Sequence, residues 1–228
     1  MKKIHWFTDT TIQEELGVGE MFDITEKENV KQIFKILKLQ KNECIVIKTN
    51  NFVYECKITE VTRDKVTVSI LNKKQVVTQQ KISLVFCIPK KDNFELILEK
   101  CTEIGITDFY PVISDRTIKT NINIERASKI IQEASEQSQR LDIPVLHTIT
   151  KLDDILDELK PIVFDTEGTK VTSHELNNKN AFLIGPEGGF SQRELELFKE
   201  KGLETYKIGE TVLKTETAAI VVSGLLLN

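Results

Sequence analysis

The chain has 228 residues, 40% hydrophobic and 29% charged, the balance of an ordinary soluble globular protein of one or two domains. Its net charge of −4 is uneven: residues 1–78 carry 13 Lys+Arg against 11 Asp+Glu, residues 79–228 carry 18 against 24, so the two halves are expected to do different work. No apolar core follows Lys2-Lys3 as in a signal peptide, and the longest apolar run, residues 218–227, is too short to span a bilayer, so no membrane partner and a cytoplasmic location are expected.

The first half reads as short strands at 43–48, 52–61 and 65–71, with Asn50-Asn51 and Arg63-Asp64 as turns. One helix is expected over 26–38. Its apolar stripe is Val30, Ile33, Phe34 and Leu37, with Lys27, Lys31, Lys35 and Lys38 in a second stripe beside it. Such lysines either form a solvated face or contact a phosphate backbone. Residues 72–81 are polar and read as a linker, dividing the chain into domains 1–74 and 75–228. Beyond it strands and helices alternate. Strands are predicted at 83–89, 108–114, 161–165, 181–185 and 205–209. The first helix follows Asp92-x-x-Glu95, carries Phe94, Ile97, Leu98 and Cys101, and stops at Gly105. A second spans 123–139, a third starts at the capping box Ser191-x-x-Glu194, and the last begins near Glu216. The second half is thus an α/β domain. Cys44, Cys56, Cys87 and Cys101 are scattered with no C-x-x-C pair, so they are expected to fill core space and no metal is expected.

Two loops follow predicted strands: GPEGGF after FLI, and GETVLKTETA after TYKI. Ligands of open α/β sheets bind at that edge. Neither loop is G-x-G-x-x-G or a P-loop, so a dinucleotide fingerprint and a phosphate grip are both absent. What remains is backbone brought close to a ligand by glycines that lack a Cβ. Gly185, Gly188 and Gly189 would expose N–H and C=O groups to a purine edge; Ile184 precedes them, and the second loop carries Ile208, Gly209 and Leu213. Leu183 and Pro186 complete the first loop's surroundings. Glu216 and Thr217 begin the last helix, where a carboxylate either caps the helix or holds a hydroxyl.

I-G-P-E-G-G-F-S-x-x-E (184–194), followed by I-G-x-x-V-L-K-T-E-T-A (208–218), resembles the ribosomal RNA small subunit methyltransferase E family, of the SPOUT class. LILEKCTEIGITDFYPVISDRT (96–117) and EASEQSQRLDIP (133–144) are similar to further segments of that family, in the same order. HWF and KILKLQKNE resemble its N-terminal segments. Asn29 stands where a histidine is usual, and Lys38 and Lys214 where arginines are usual.

The resemblance implies a PUA-like β-barrel that binds RNA, then a SPOUT α/β domain with a deep trefoil knot. It implies S-adenosylmethionine as cofactor and methylation of N3 of a uridine in 16S rRNA. The substrate would be that RNA or the small ribosomal subunit, and the protein a homodimer. Arg140 and Arg116, both in matching motifs, are candidates to stabilise the uracil anion, and Glu103 to accept its proton. Lys31, Lys35, Lys38 and Lys214 are candidates for RNA contact. Two alternatives stay open: a non-catalytic RNA-binding or ribosome-assembly factor, and a sister enzyme acting on ribose 2′-O.

Overall fold

The computed structural model describes residues 4–9, 11–76, 81–118, 120–171, 176 and 179–225. Residues 77–80 of the expected linker and 226–227 of the apolar run lie outside them. The chain divides into two compact units, residues 1–79 with 136–143 and residues 80–135 with 144–228.

In the first unit, β1 (His5–Thr8), β2 (Met21–Ile24), β3 (Cys44–Lys48), β4 (Phe52–Val61) and β5 (Val66–Gln75) form one sheet, ordered β1-β3-β4-β5-β2. β1 pairs parallel with β3 and the other pairs are antiparallel. The period-2 pattern of β4 and β5 sends Tyr54, Cys56, Ile58, Val66, Val68 and Ile70 into the core. Asn72–Gln75, expected in a linker, are the end of β5, because they still pair with Phe52–Glu55. Cys44 is exposed rather than a core filler, while the other three cysteines are buried. Burial pushes each of those three thiols up to about 12.

The expected helix forms over a shorter range and with a defect. Glu26 caps α1 (Lys27–Lys31) by accepting from Asn29 N at 3.2 Å. The helix then widens into a π-helical turn, Gln32–Ile36, where Leu37 N donates to Gln32 O at 2.9 Å. Val30 and Ile33 are buried as their spacing predicts. Lys38 falls beyond the helix, left-handed at φ 51°, so it leaves the stripe formed by the other lysines.

The second unit holds β6 (Ser83–Cys87), α2 (Lys91–Ile104), β7 (Asp108–Ile113), α3 (Ile124–Gln137), β8 (Val145–Leu146), β9 (Thr150–Lys151), α4 (Leu152–Leu159), β10 (Ile162–Lys170), β11 (Ala181–Ile184), α5 (Gln192–Glu200), β12 (Thr205–Lys207) and α6 (Thr215–Leu225). The strand order is β12-β10-β11-β6-β7-β8, with β9 also on β7, and every pairing is parallel. Both faces are covered, as a parallel sheet requires. Val85, Cys87, Val112, Val163 and Leu183 cluster with the apolar faces of α4 and α5. On the other face Phe86 meets Phe94 of α2 at 5.6 Å, and α2 packs on α6. Gly105 ends α2 at φ 129°, its N–H bonded to Cys101 O at 3.1 Å. The D-x-x-E box does not form at the other end. Lys90 is the N-cap, and Glu95 instead takes Arg126 in a bidentate pair at 2.5 and 2.6 Å.

Candidate active site at the carboxyl edge of the parallel sheet

β11 and β12 end on one edge, and their exit segments, with a detour inside β10, enclose a cavity of about 280 Å3. That is close to the lower end of the roughly 300–1,000 Å3 range of small-molecule sites. The first wall is the segment Gly185–Phe190. A Cβ on Gly185 would lie 2.9 Å from the Phe190 ring, which is itself wedged edge-on against Phe198 at 4.9 Å. Glycine is therefore what lets the chain fold back over its own phenylalanine. Thr215 Oγ1 donates to Gly185 O at 3.1 Å and ties this wall to the start of α6.

The second wall comes from β10. Its pairing with β12 breaks after Phe164 and resumes at Thr169, so residues 165–168 swing out and carry Asp165 and Thr166 to the cavity. The strand can return only because Gly168 lies against the Tyr206 backbone, where a Cβ would come within 2.5 Å. The third wall is Lys207–Lys214. The walls are chiefly apolar, from Ile184, Ile208, Leu213 and Ala218, with two carboxylates, Asp165 and Glu187, and two ammonium groups, Lys207 and Lys214. Asp165 Oδ1 accepts from Glu167 N at 3.0 Å, and Lys207 Nζ donates to Glu210 at 3.0 Å.

A polar clamp holds the first wall from behind. Ser191 and Glu194 form the expected capping box, but Glu194, with no exposed surface, also reaches another loop. Its Oε2 accepts from Ser191 N at 2.7 Å and its Oε1 from Asp115 N at 2.8 Å. Asp115 accepts from Arg193 and from Ser191 Oγ, and these hydrogen bonds hold its carboxyl down to about 2. Arg193 also pairs with Asp153 at 2.8 Å, so it is a tie between segments and not merely the first-turn surface residue its position suggests. Arg116 Nη1 donates to Gly188 O at 2.8 Å.

Of the residues singled out in the sequence, Ile184, Gly185, Pro186, Ile208, Gly209, Leu213 and Lys214 line the cavity. Leu183 does not, because strand alternation turns it into the core beneath α4 and α5. Gly188 does not line it either: its carbonyl serves Arg116, and a Cβ there would meet only Arg116 Cδ, at 3.6 Å. Glu216 and Thr217 open α6 outside the lining; Glu216 is buried with Oε2 unbonded, and Thr217 is exposed. Glu103 does not line this cavity. It sits at the end of α2 that precedes β7, on the amino edge of the sheet, and pairs with Lys100 at 2.9 Å. Arg140 groups with the first unit, nearly buried and held by Asp142 at 3.0 and 2.5 Å. Lys31, Lys35 and Lys38 are exposed in the first unit. Asp165, Thr166, Glu187 and Phe190 line the cavity without having been assigned to it from sequence.

A parallel sheet with a glycine-walled cavity at its carboxyl edge agrees with the family comparison: the RNA methyltransferase domain matches residues 77–227, and the chain belongs to that family. Over 92% of its length the chain is 26% identical to the ribosomal RNA small subunit methyltransferase E of Rickettsia conorii, of which it covers 90%. With the Bacillus subtilis protein of the same name it shares 27% identity, over 94% of this chain and 92% of that one. A putative methyltransferase of Legionella pneumophila, solved with bound S-adenosylmethionine, superposes with a TM-score of 0.84 at 26% identity, covering 98% of this chain and 97% of that one. Among the described residues no group of His, Cys, Asp and Glu is arranged to hold a metal, and no helix is long and apolar enough to cross a membrane.

Proposed function

We propose that the protein transfers a methyl group from S-adenosylmethionine to N3 of a uridine in 16S rRNA. The observation that carries this reading is the cavity itself: three apolar, backbone-rich walls converging at the carboxyl ends of parallel strands. The residues fit such a donor. Ile184, Ile208, Leu213 and Ala218 would suit the flat adenine, the backbone at Gly185 and Gly209 would approach it closely, and Asp165 would offset the sulfonium charge. When bound, S-adenosylmethionine supplies an electrophilic methyl group.

The chain's own task is positioning and proton removal. Uracil N3 carries a proton that must leave before the nitrogen is a good nucleophile. Glu187 replaces Glu103 as acceptor: it lines the cavity, and among the described residues its carboxylate makes no hydrogen bond, whereas Asp165 is engaged by Glu167 N. Lys214, in the lining, and Arg116, which follows β7 and is tied to the first wall at Gly188 O, supply positive charge for the uracil anion. In the homodimer of this reading Arg140 would serve the uracil anion at a second chain's cavity.

The same reading assigns RNA binding to the first unit as a PUA-like barrel, threads the last segments of the second as a trefoil knot, and makes the protein a cytoplasmic homodimer. The half-buried Ile220 and Val221 of α6 support the dimer, since a second copy would cover them. Incubation with S-adenosylmethionine and unmodified 16S rRNA, followed by nucleoside mass spectrometry, tests the activity. N3-methyluridine is expected; a ribose-methylated product overturns the chemistry, and absence of donor binding by calorimetry overturns enzymatic function. Sedimentation tests the dimer, with a monomer overturning it.

A further inference from the structure

The first unit carries an open groove of about 770 Å3 that the lysine stripe does not explain. Phe34, Leu39, Val61 and Met21 give it apolar surface, Lys38 and Lys41 two cations, and Glu60 one carboxylate, with Gln40, Thr59 and Thr67 completing the lining. Two irregularities in the backbone shape it. The π-helical turn and the left-handed Lys38 redirect the chain out of the helix, with Leu39 N bonded to Ile33 O at 3.0 Å. On the facing side a bulge in β4 takes Thr59 out of the register between Ile58↔Val68 and Glu60↔Thr67, its hydroxyl donating to Thr67 O at 3.1 Å. Both features occur often beside functional sites. Met21 leaves 68% of its surface in solvent, a large apolar side chain at the mouth of an apolar hollow.

Charge selects the occupant. Lys65, Lys73 and Lys74 of this unit each pair with a carboxylate. Lys27, Lys31, Lys35, Lys38 and Lys41 are exposed, and no ion pair or hydrogen bond engages their ammonium groups among the described residues. Five such cations, two of them in a groove that holds one carboxylate, Glu60, beside its apolar surface, suit a polyanion with flat apolar faces.

We propose that the groove seats one unpaired nucleotide of a single-stranded RNA segment. The base packs on Phe34, Leu39 and Val61, Lys38 and Lys41 take the phosphates on either side, and Lys35 and Lys31 extend the phosphate track. The proposal rests on the RNA-methyltransferase reading and names where that substrate is gripped.

The test uses the full chain and a short fluorescein-labelled oligouridylate, with binding followed by anisotropy across a salt series. Lys38→Gln with Lys41→Gln lowers affinity and flattens the log–log salt slope by about 1.4, two single-strand contacts at roughly 0.7 each. Phe34→Leu keeps apolar volume under the helix but removes the ring, and weakens binding roughly tenfold without changing the slope. Met21→Glu, at an exposed position, weakens binding without touching the core. Lys73→Gln, taken from a paired lysine, leaves binding unchanged. An unaltered slope in the double lysine variant, wild-type affinity in both Phe34→Leu and Met21→Glu, or duplex RNA binding as tightly as the single strand each overturns the seat. Calorimetry with S-adenosylmethionine separates the two readings. Donor binding without oligonucleotide binding sinks the groove alone, and loss of both sinks the enzyme reading.

Discussion

Glu194 offers the most direct test of how the cavity is held. Its carboxylate is wholly buried and accepts two backbone N–H groups, Ser191 N at 2.7 Å and Asp115 N at 2.8 Å. Hydrogen bonds to a charged group contribute about 1.5–3 kcal/mol each, and removing the acceptor takes the partner from two part-buried donors. Glu194→Ala is therefore expected to cost about 3–5 kcal/mol. Glu194→Gln is expected to cost about 2 kcal/mol, because the amide oxygen keeps one bond while its NH2 group opposes the other N–H. For a unit of this size each kcal/mol moves Tm by roughly 2–4 °C, so Ala should lower Tm by about 10 °C and Gln by about half that. Thermal unfolding followed by circular dichroism measures the shift. Glu194→Ala melting within about 2 °C of wild type would refute the two-bond argument. Calorimetry on Glu194→Gln with S-adenosylmethionine then separates fold from function. Weaker donor binding is expected, since the Gly185–Phe190 wall loses part of its anchor; unchanged affinity would make Glu194 a stabilising residue only.

Three further outcomes follow from the geometry. Gly185→Ala, whose Cβ would strike Phe190 at 2.9 Å, should weaken donor binding at least tenfold, whereas Gly188→Ala, in ordinary contact with Arg116 Cδ at 3.6 Å, should leave it unchanged; titration calorimetry compares the two, and equal effects would misplace the cavity wall. Glu187→Gln should lower the single-turnover methylation rate by about 10²–10⁴ with donor affinity preserved, and a rate within a few-fold of wild type would remove Glu187 as the proton acceptor. Lys48 is buried, donates to the Asp142 carbonyl, and is pushed down to about 8 by desolvation, so its charged form burdens the fold below that pH and the burden lifts as pH rises towards 10.5. The stability gap between wild type and Lys48→Met, from urea unfolding, should shift in favour of wild type by roughly 3 kcal/mol across that window, and a flat difference would mean that Lys48 is not desolvated. The pairwise comparison matters because the buried thiols, raised to about 12, act oppositely above pH 9 in both proteins.

Elements fixed by local chemistry were legible in the sequence. The stripe Phe94, Ile97, Leu98 and Cys101 is buried, Gly105 ends α2, and the Ser191–Glu194 box caps α5. The eight residues of α4 carry the same spacing at Leu152, Ile155 and Leu156, a run of only two turns. The short strands β1 and β2 offer four residues each, too few for alternation to register. The D-x-x-E box at Asp92 failed for a tertiary reason: Glu95 is worth more as Arg126's bidentate partner, 31 residues away, than as a cap on its own helix.

The site was legible to the extent that strand ends announce themselves. Glycines after FLI and TYKI mark two walls, and the third was readable in principle, since IVFD-TEG is also an apolar strand running into a glycine. What hid it is that β10 resumes pairing with β12 after its detour, so the segment carries no loop composition; only the approach of Gly168 to Tyr206 reveals the excursion. Periodicity misled more sharply in the first unit. Placing Lys27, Lys31, Lys35 and Lys38 on one face assumes 3.6 residues per turn throughout, and the π-helical turn breaks that assumption at Gln32. Lys38 thereby leaves the helical row and joins Lys41 at the groove, which makes the two lysines separable from Lys31 and Lys35 by mutation. A charge stripe inferred from spacing alone treats all four as equivalent. Under the proposed seating Lys38 takes a phosphate beside the base and Lys31 and Lys35 the track beyond it, so only substitutions at the groove should act together with Phe34→Leu in a double-mutant cycle.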